Sequence, residues 1–487
     1  MASNKTPNLG LDIWQPDDFF KRAEVNDNFS KIDAKAKENS DKIGELSLNV
    51  ATKITEFDSI KQKLRKDNRK KFTPFLFPSG FLGTFKPVTI FSDGKSYITE
   101  FNPSNFKNVS TNTYYVALNG STSNTGTEAS PWTLAQAISA AGNGDTIIIK
   151  EGTYYRNLHI AFPITMLKSV NIIAQGKVVL INGDSITYSL DASTNLYKAT
   201  RSNALRLVDV TSENYSIEYT KVASIADCQA NKGTWYTDNT LIYVNPYSGV
   251  NPNSRLVPLL TTEGFKINPT AAANMYFENV TIVGGAYGCM QVDKNPNYDL
   301  NVTLNSVRGY YTTYIASGNV FNFRGGNIIA NKCVAMYGTK DGFNYTQYNA
   351  SSQSVVCNFV EIDCVGANNG YGDSAGAYNN GSTCHAGAKG IRINGIYYNN
   401  YGSNVADVQT DTQSINISCK AFDSASPNSD QTNTDFCTQQ SGAKMWLYDC
   451  VAFGSKYSLY ALSGTTINTT NTLYESKQGG GTITSTS

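Results

Sequence analysis

"EIDCVG", residues 361–366, returns in altered form as "NKCVAM" from Asn331, "ISCKAF" from Ile417 and "YDCVAF" from Tyr448. Aligning Cys333, Cys364, Gly395, Cys419 and Cys450 as one column gives spacings of 31, 31, 24 and 31 residues. Val280 and Val307 extend the column upstream at 27 and 26. Periods of this size belong to solenoid coils. Four residues before the column stand Ile329, Val360, Ile391, Ile415 and Trp446. Two before it stand Asn331, Ile362, Ile393, Ile417 and Tyr448. The positions between are mainly polar: Ala330, Glu361, Arg392, Asn416 and Leu447, then Lys332, Asp363, Asn394, Ser418 and Asp449. Period-2 alternation repeated coil after coil predicts strands with the apolar positions buried and the polar ones wet. Parallel neighbours lie about 4.8 Å apart, so Glu361 is expected beside Arg392, and Lys332 beside Asp363, on the solvent face.

The column raises the question of what the cysteines do. The chain has nine cysteines and two histidines, His159 and His385. No C-x-x-C pair is present, and an odd count without an export signal argues against a disulfide framework. A zinc site of usual spacing is not expected. His385 follows Cys384 directly, and adjacent strand residues point to opposite faces, which makes a thiol–imidazole pair a poor reading. A stack of buried free thiols acting as small apolar side chains explains the spacing best.

The 487 residues carry Lys+Arg 40 against Asp+Glu 39, a net charge of +1. That balance offers no argument for nucleic acid or a membrane surface. Charged residues make up 16%, whereas Tyr (30) and Gly (39) are plentiful, as suits short strands joined by turns. "MASNKTPNLG" lacks the apolar stretch of a secretory signal, and no apolar run reaches membrane-spanning length. Synthesis in the cytoplasm without membrane insertion is expected.

Residues 29–64 keep a heptad in which Phe29, Ala36, Ile43, Val50, Phe57 and Leu64 occupy the a positions, and Ile32, Asn39, Leu46, Lys53 and Ile60 the d positions. A 3.5-residue period keeps one seam facing a partner, so an α-helical coiled coil is expected over 29–71. A single amphipathic helix on a globular body is the alternative. The seam does not choose between two strands and three. The segment that follows, 72–112, reads as an irregular aromatic neck that packs against something, sister chains included.

The stretch "NLGLDIWQPDDFFKRAEVNDNFSKID", residues 8–33, resembles the N-terminal attachment segment of bacteriophage tail fibre and tail spike proteins, through "NLGL", Trp14 and "NDNFSKID". The stretch from Thr113, "TYYVALNGSTSNTGTEASPWTLAQAISAAGNGDTIIIKEGTY", resembles the opening cap of the pectin-lyase-like right-handed parallel β-helix proteins. Together the resemblances imply a mainly β chain with a right-handed parallel β-helix at 113–470; residues 185–260 fit the repeat less well and read as an irregular insertion or a widened coil, and 471–487 as a flexible or weakly ordered tail. They also imply a homotrimer, docking of residues 1–28 to a phage baseplate or neck protein, and a host cell-surface polysaccharide as ligand. The strand pattern itself predicts a helix from Leu134 to Ala141, a strand at "TIIIK", a turn at "EGTY", and a hairpin of Trp235–Tyr236 against Leu241–Val244 around Asp238 and Asn239.

Asp341, Asp373 and Asp407 follow their column residues by 8, 9 and 12 positions, counting Gly395 as the third column residue. They are expected in the turns of successive coils, with His385 and Asp411 in the same or adjoining loops. Glycoside hydrolysis needs two carboxyl groups roughly 5–9.5 Å apart, which neighbouring coils can supply. Asp341, Asp373, Asp407 and His385 are therefore the candidate catalytic residues, and Glu361, Arg392, Tyr371, Tyr397 and Tyr401 the candidate sugar contacts. The alternative for each Asp is a turn cap through local hydrogen bonds. No cofactor is expected; the acidic turns leave room for calcium, without a motif for it. A polysaccharide depolymerase, a non-catalytic receptor-binding spike and a cellular pectate-lyase-like enzyme all fit.

Overall fold

The computed structural model describes residues 72–350, 353–370, 379–428 and 430–486, together with 4–5, 12–13, 30–32 and 34–35. The chain divides into two units at Pro74. In the first, Asn4–Lys5 pairs antiparallel with Asp12–Ile13, and residues 30–32 and 34–35 are helical. Apart from these residues, the expected attachment segment and the expected coiled coil lie outside the described residues, as do Tyr371 and Asp373.

The second unit is a parallel β-helix. One coil illustrates it. Strand Cys357–Ile362 runs into Asp363, Cys364 begins a bend into strand Val365–Ala367, a corner loop follows, and strand Ser382–His385 completes the turn. The next coil stacks in register: Glu361 pairs with Arg392, Val365 with Ile396, and Cys384 with Asp407. Three sheets result, named first, second and third in their order along a coil. The third carries ten strands among the described residues, from Ile164–Met166 to Lys477–Gln478.

The bend is set by one residue. Asn279, Ser306, Lys332, Asp363, Asn394, Ser418 and Asp449, each immediately before the column, all have φ between 50 and 65°. This left-handed conformation is one that Asn and Asp tolerate best. It breaks the two-residue alternation, so the column residue and the residue three before it share a face. The faces are therefore the reverse of those expected from the sequence. Glu361, Arg392, Asn416 and Leu447 point into the coil with Cys333, Cys364, Cys419 and Cys450, all fully buried. Val360, Ile362, Ile391, Ile393, Ile415, Ile417 and Trp446 point outward. Glu361 and Arg392 are neighbours as predicted, but they meet in the interior.

Residues 75–101 cover that outward apolar face. Phe81 packs edge-on to Trp446 at 6.1 Å and Phe75 to Tyr448 at 5.1 Å, with Val88 and Ile90 buried in the same cluster. The Leu82 amide donates to Gln413 Oε1 at 2.7 Å. The neck thus packs on this chain's own first sheet. Each large side chain removed from water here contributes about 1.5–3 kcal/mol.

The other elements close the solenoid. Helix Leu134–Ala140 starts at Thr133, whose hydroxyl accepts from the Gln136 amide, and buries Leu134 and Ala137 over the first coil. Strand Thr146–Tyr155 continues through "EGTY" with a register shift between Lys150 and Gly152, where a turn was expected. Residues 189–259 form a seven-stranded sheet in which Trp235 pairs with Val244 and Tyr236 with Tyr243, the predicted hairpin. The terminal residues, expected as a flexible tail, add strands Leu473–Tyr474, Lys477–Gln478 and Thr482–Thr486 to the three sheets. Among the described residues no helix is long and apolar enough to cross a membrane.

Candidate functional site

The thiols are scaffold. All nine cysteines are buried and unpaired, and burial pushes Cys289, Cys357 and Cys437 up to about 12, so they stay protonated. Gly395 interrupts the column for a steric reason: a Cβ there would lie 2.3 Å from the Tyr397 hydroxyl. The Tyr397 ring fills the space, and its hydroxyl donates to Glu361 Oε2 at 2.7 Å.

That contact belongs to a polar network inside the coil. Arg392 Nε donates to Ser382 Oγ at 2.7 Å, and Ser382 donates to Glu361 Oε1 at 2.5 Å. Arg392 Nη1 reaches Asp407 Oδ1 at 3.4 Å and Asn416 Oδ1 at 3.3 Å, while Ser414 donates to Asp407 Oδ2 at 2.6 Å. Burial raises the carboxyl pKa of both Glu361 and Asp407, opposed in each case by Arg392. Burial alone would lower the Arg392 pKa, but Asp407 and Glu361 outweigh it and hold the guanidinium charged. The network ties all three sheets together. Glu361, Arg392, Tyr397 and Asp407 are each 0% exposed, so none of these four candidate site residues faces a surface ligand.

Asp341 and His385 do come together. Asp341 ends the corner loop between the second and third sheets, and His385 ends strand Ser382–His385 on the outer side of the third sheet. His385 Nε2 lies 3.8 Å from Asp341 Oδ2, and the Asn380 amide donates to Asp341 Oδ1 at 2.8 Å. The Asp341 amide donates to Asn319 Oδ1 at 3.0 Å, which holds the loop in place. The Asp341 side chain is nearly buried, whereas that of His385 is 28% exposed. One carboxylate oxygen is thus fixed by the backbone, and the other faces an imidazole edge that solvent can reach.

The surroundings are polar and aromatic. On the outer side of the third sheet, Asn344 Nδ2 donates to Asn322 Oδ1 at 2.9 Å, and Asn380 Nδ2 donates to Thr383 Oγ1 at 2.9 Å. The loop bearing Tyr314 lies alongside: Thr339 Oγ1 donates to the Tyr314 carbonyl at 2.7 Å. Tyr314 is exposed and tilts against Tyr287 with centroids 4.7 Å apart. Tyr401, half-buried in a later corner loop, donates its amide to the Asn369 carbonyl at 2.9 Å. Among the described residues no three His, Cys, Asp or Glu side chains converge as a metal site would require. Tyr287, Tyr314, Asn344 and Thr383 were not singled out from the sequence. Their position relative to the column was the signal available for finding them.

No family model matches the chain, and no curated protein matches it. Solved structures do. A glycoside hydrolase is 11% identical and covers 77% of this chain and 96% of its own, with a TM-score of 0.52. The pectate lyase Pel9A is 17% identical over 76% of this chain and 80% of its own, at a TM-score of 0.35. PfbA, a surface adhesin of Streptococcus pneumoniae, is 14% identical over 76% and 91%, at 0.29. At these identities the likeness to the glycoside hydrolase is one of fold, the parallel β-helix that the strand register describes.

Proposed function

We propose that the chain is a bacteriophage tail spike or appendage that binds and depolymerises a host cell-surface polysaccharide, with the Asp341–His385 corner as its reacting centre. The observation that carries the chemistry is the carboxylate–imidazole pair, open to solvent on the His385 side, with the loop of the exposed Tyr314 alongside and buried amides beneath. His385 acts as the proton carrier, with Asp341 as general base or nucleophile. The phage role is supported by the resemblance of residues 8–33; the heptad at 29–64 supports an oligomer, and the homotrimer in the virion follows from the resemblance. Residues 1–28 are the proposed contact to a baseplate or neck protein.

The binding-only spike is favoured by one finding. Asp407, expected as a second carboxylate of a hydrolytic pair, lies in the interior. Incubating the full chain with envelope polysaccharide from a sensitive host, and following polymer length by size exclusion with light scattering, separates the two. We expect cleavage that falls at least about 100-fold in Asp341→Asn and in His385→Gln, the range lost with a general acid or base. Polymer that the wild type leaves intact leads to the binding-only spike. Cleavage unchanged in both variants moves the centre elsewhere.

A further inference from the structure

The outer face of the first sheet changes character along the solenoid. Its later coils carry the apolar residues that the neck covers. Its earlier coils carry amides six residues before the column: Asn274, Asn301, Asn327 and Asn358, at intervals of 27, 26 and 31. They form a ladder. Asn301 Nδ2 donates to Asn274 Oδ1 at 2.7 Å, Asn327 to Asn301 at 3.0 Å, and Asn358 to Asn327 at 3.0 Å. Each bond uses one N–H and one lone pair, so Asn301 keeps one donor and one acceptor for a ligand.

The chain between the neck and the cap builds a groove over this ladder. Its volume is about 420 Å³, within the range of small-molecule sites. Phe85, Phe106, Asn301, Asn327 and Thr303 are among its lining residues. Phe106 is held by stacking on Phe101 at 5.5 Å. The single charged residue in the lining is Lys107, and it is paired with Glu278 at 2.6 Å. From Asn274 to Asn327 the ladder covers two strand spacings, about 10 Å, the length of roughly two linked pyranose rings.

We propose that this groove binds a neutral oligosaccharide of two to three sugar units, without cleaving it. Side-chain amides pair donor and acceptor with vicinal hydroxyls, and aromatic rings meet the apolar face of a pyranose. The paired lysine argues against an acidic sugar, because no unpaired cation lines the groove. The proposal stands independently of the Asp341–His385 corner.

Titration of the full chain with cellotriose, maltotriose and N-acetylated chitotriose, by calorimetry and saturation-transfer NMR, tests it. At least one trisaccharide should bind the wild type. Asn301→Ala with Asn327→Ala should weaken that binding tenfold or more, and Phe106→Ala should do likewise through a side chain outside the ladder. Unchanged thermal unfolding identifies the variants that remain folded. Asp341→Asn should keep full trisaccharide binding, whatever it does to polymer cleavage. The assignment is overturned if none of the three sugars binds the wild type. It is equally overturned if binding survives loss of both amides, or disappears in Asp341→Asn alone.

Discussion

Asp435 supplies the sharpest quantitative test. It lies on strand Thr434–Gln439, is 0% exposed, and accepts from Ser455 Oγ and from Asn404 Nδ2 at 3.1 Å. Its other oxygen, Oδ2, has no hydrogen-bond partner. Burial raises its pKa from 3.8 to about 8 against those two hydrogen bonds, with Asp423 and Glu475 adding like-charge repulsion. A folded pKa above the unfolded one means that the native state holds the proton more tightly. Its contribution to stability is fully present below about pH 4 and lost as pH rises through about 8. Four pKa units correspond to a ceiling of about 5–6 kcal/mol, at about 1.4 kcal/mol each. Water entering the site on ionisation reduces this to roughly 2–4 kcal/mol. Asp435→Asn matches the protonated acid in shape and cannot ionise. Guanidinium unfolding of the two proteins should therefore coincide near pH 4, separate steadily from there to about pH 8, and stay apart at a constant difference above it. By pH 9 the variant should be the more stable by roughly 2–4 kcal/mol. A constant difference across the whole range, or a variant less stable at pH 9, would refute a buried neutral acid at this position.

Two further outcomes follow from the packing. Arg392→Met leaves Glu361 and Asp407 buried without their cation and should cost about 3–5 kcal/mol in denaturant unfolding; replacing Arg392, Glu361 and Asp407 together by apolar residues should recover most of it. Phe81→Ala should release the neck at a cost of about 3–5 kcal/mol. Hydrogen exchange should then speed up at residues 75–101 and on the outward side of the first sheet, while exchange inside the coil stays slow.

Much of the solenoid was legible because a coil repeats its chemistry. The column from Val280 to Cys450 located the bends, placed Glu361 beside Arg392 and identified the thiols as buried rungs. The two-sidedness of the first sheet was not legible. Ile391 and Ile393 look like core residues because they are buried, yet the neck buries them from outside. Arg392 looks solvent-facing because it is charged, yet Glu361, Asp407 and Ser382 satisfy it within. The corner was half legible. Asp341 and His385 lie 44 residues apart and in different coils, and the spacing suggested a common flank. The same spacing did not show that Asp407, one strand further on, points the other way.

The sequence by itself determined the period, the rung order and the register of neighbouring coils, because parallel stacking makes like positions adjacent. Which face each position takes was decided only in three dimensions. One left-handed residue before every column position shifts the alternation by a step, and a segment some 300 residues away covers the sheet that the shift turns outward. Alternation records which residues are shielded from water, and two opposite surfaces of one sheet can both be shielded.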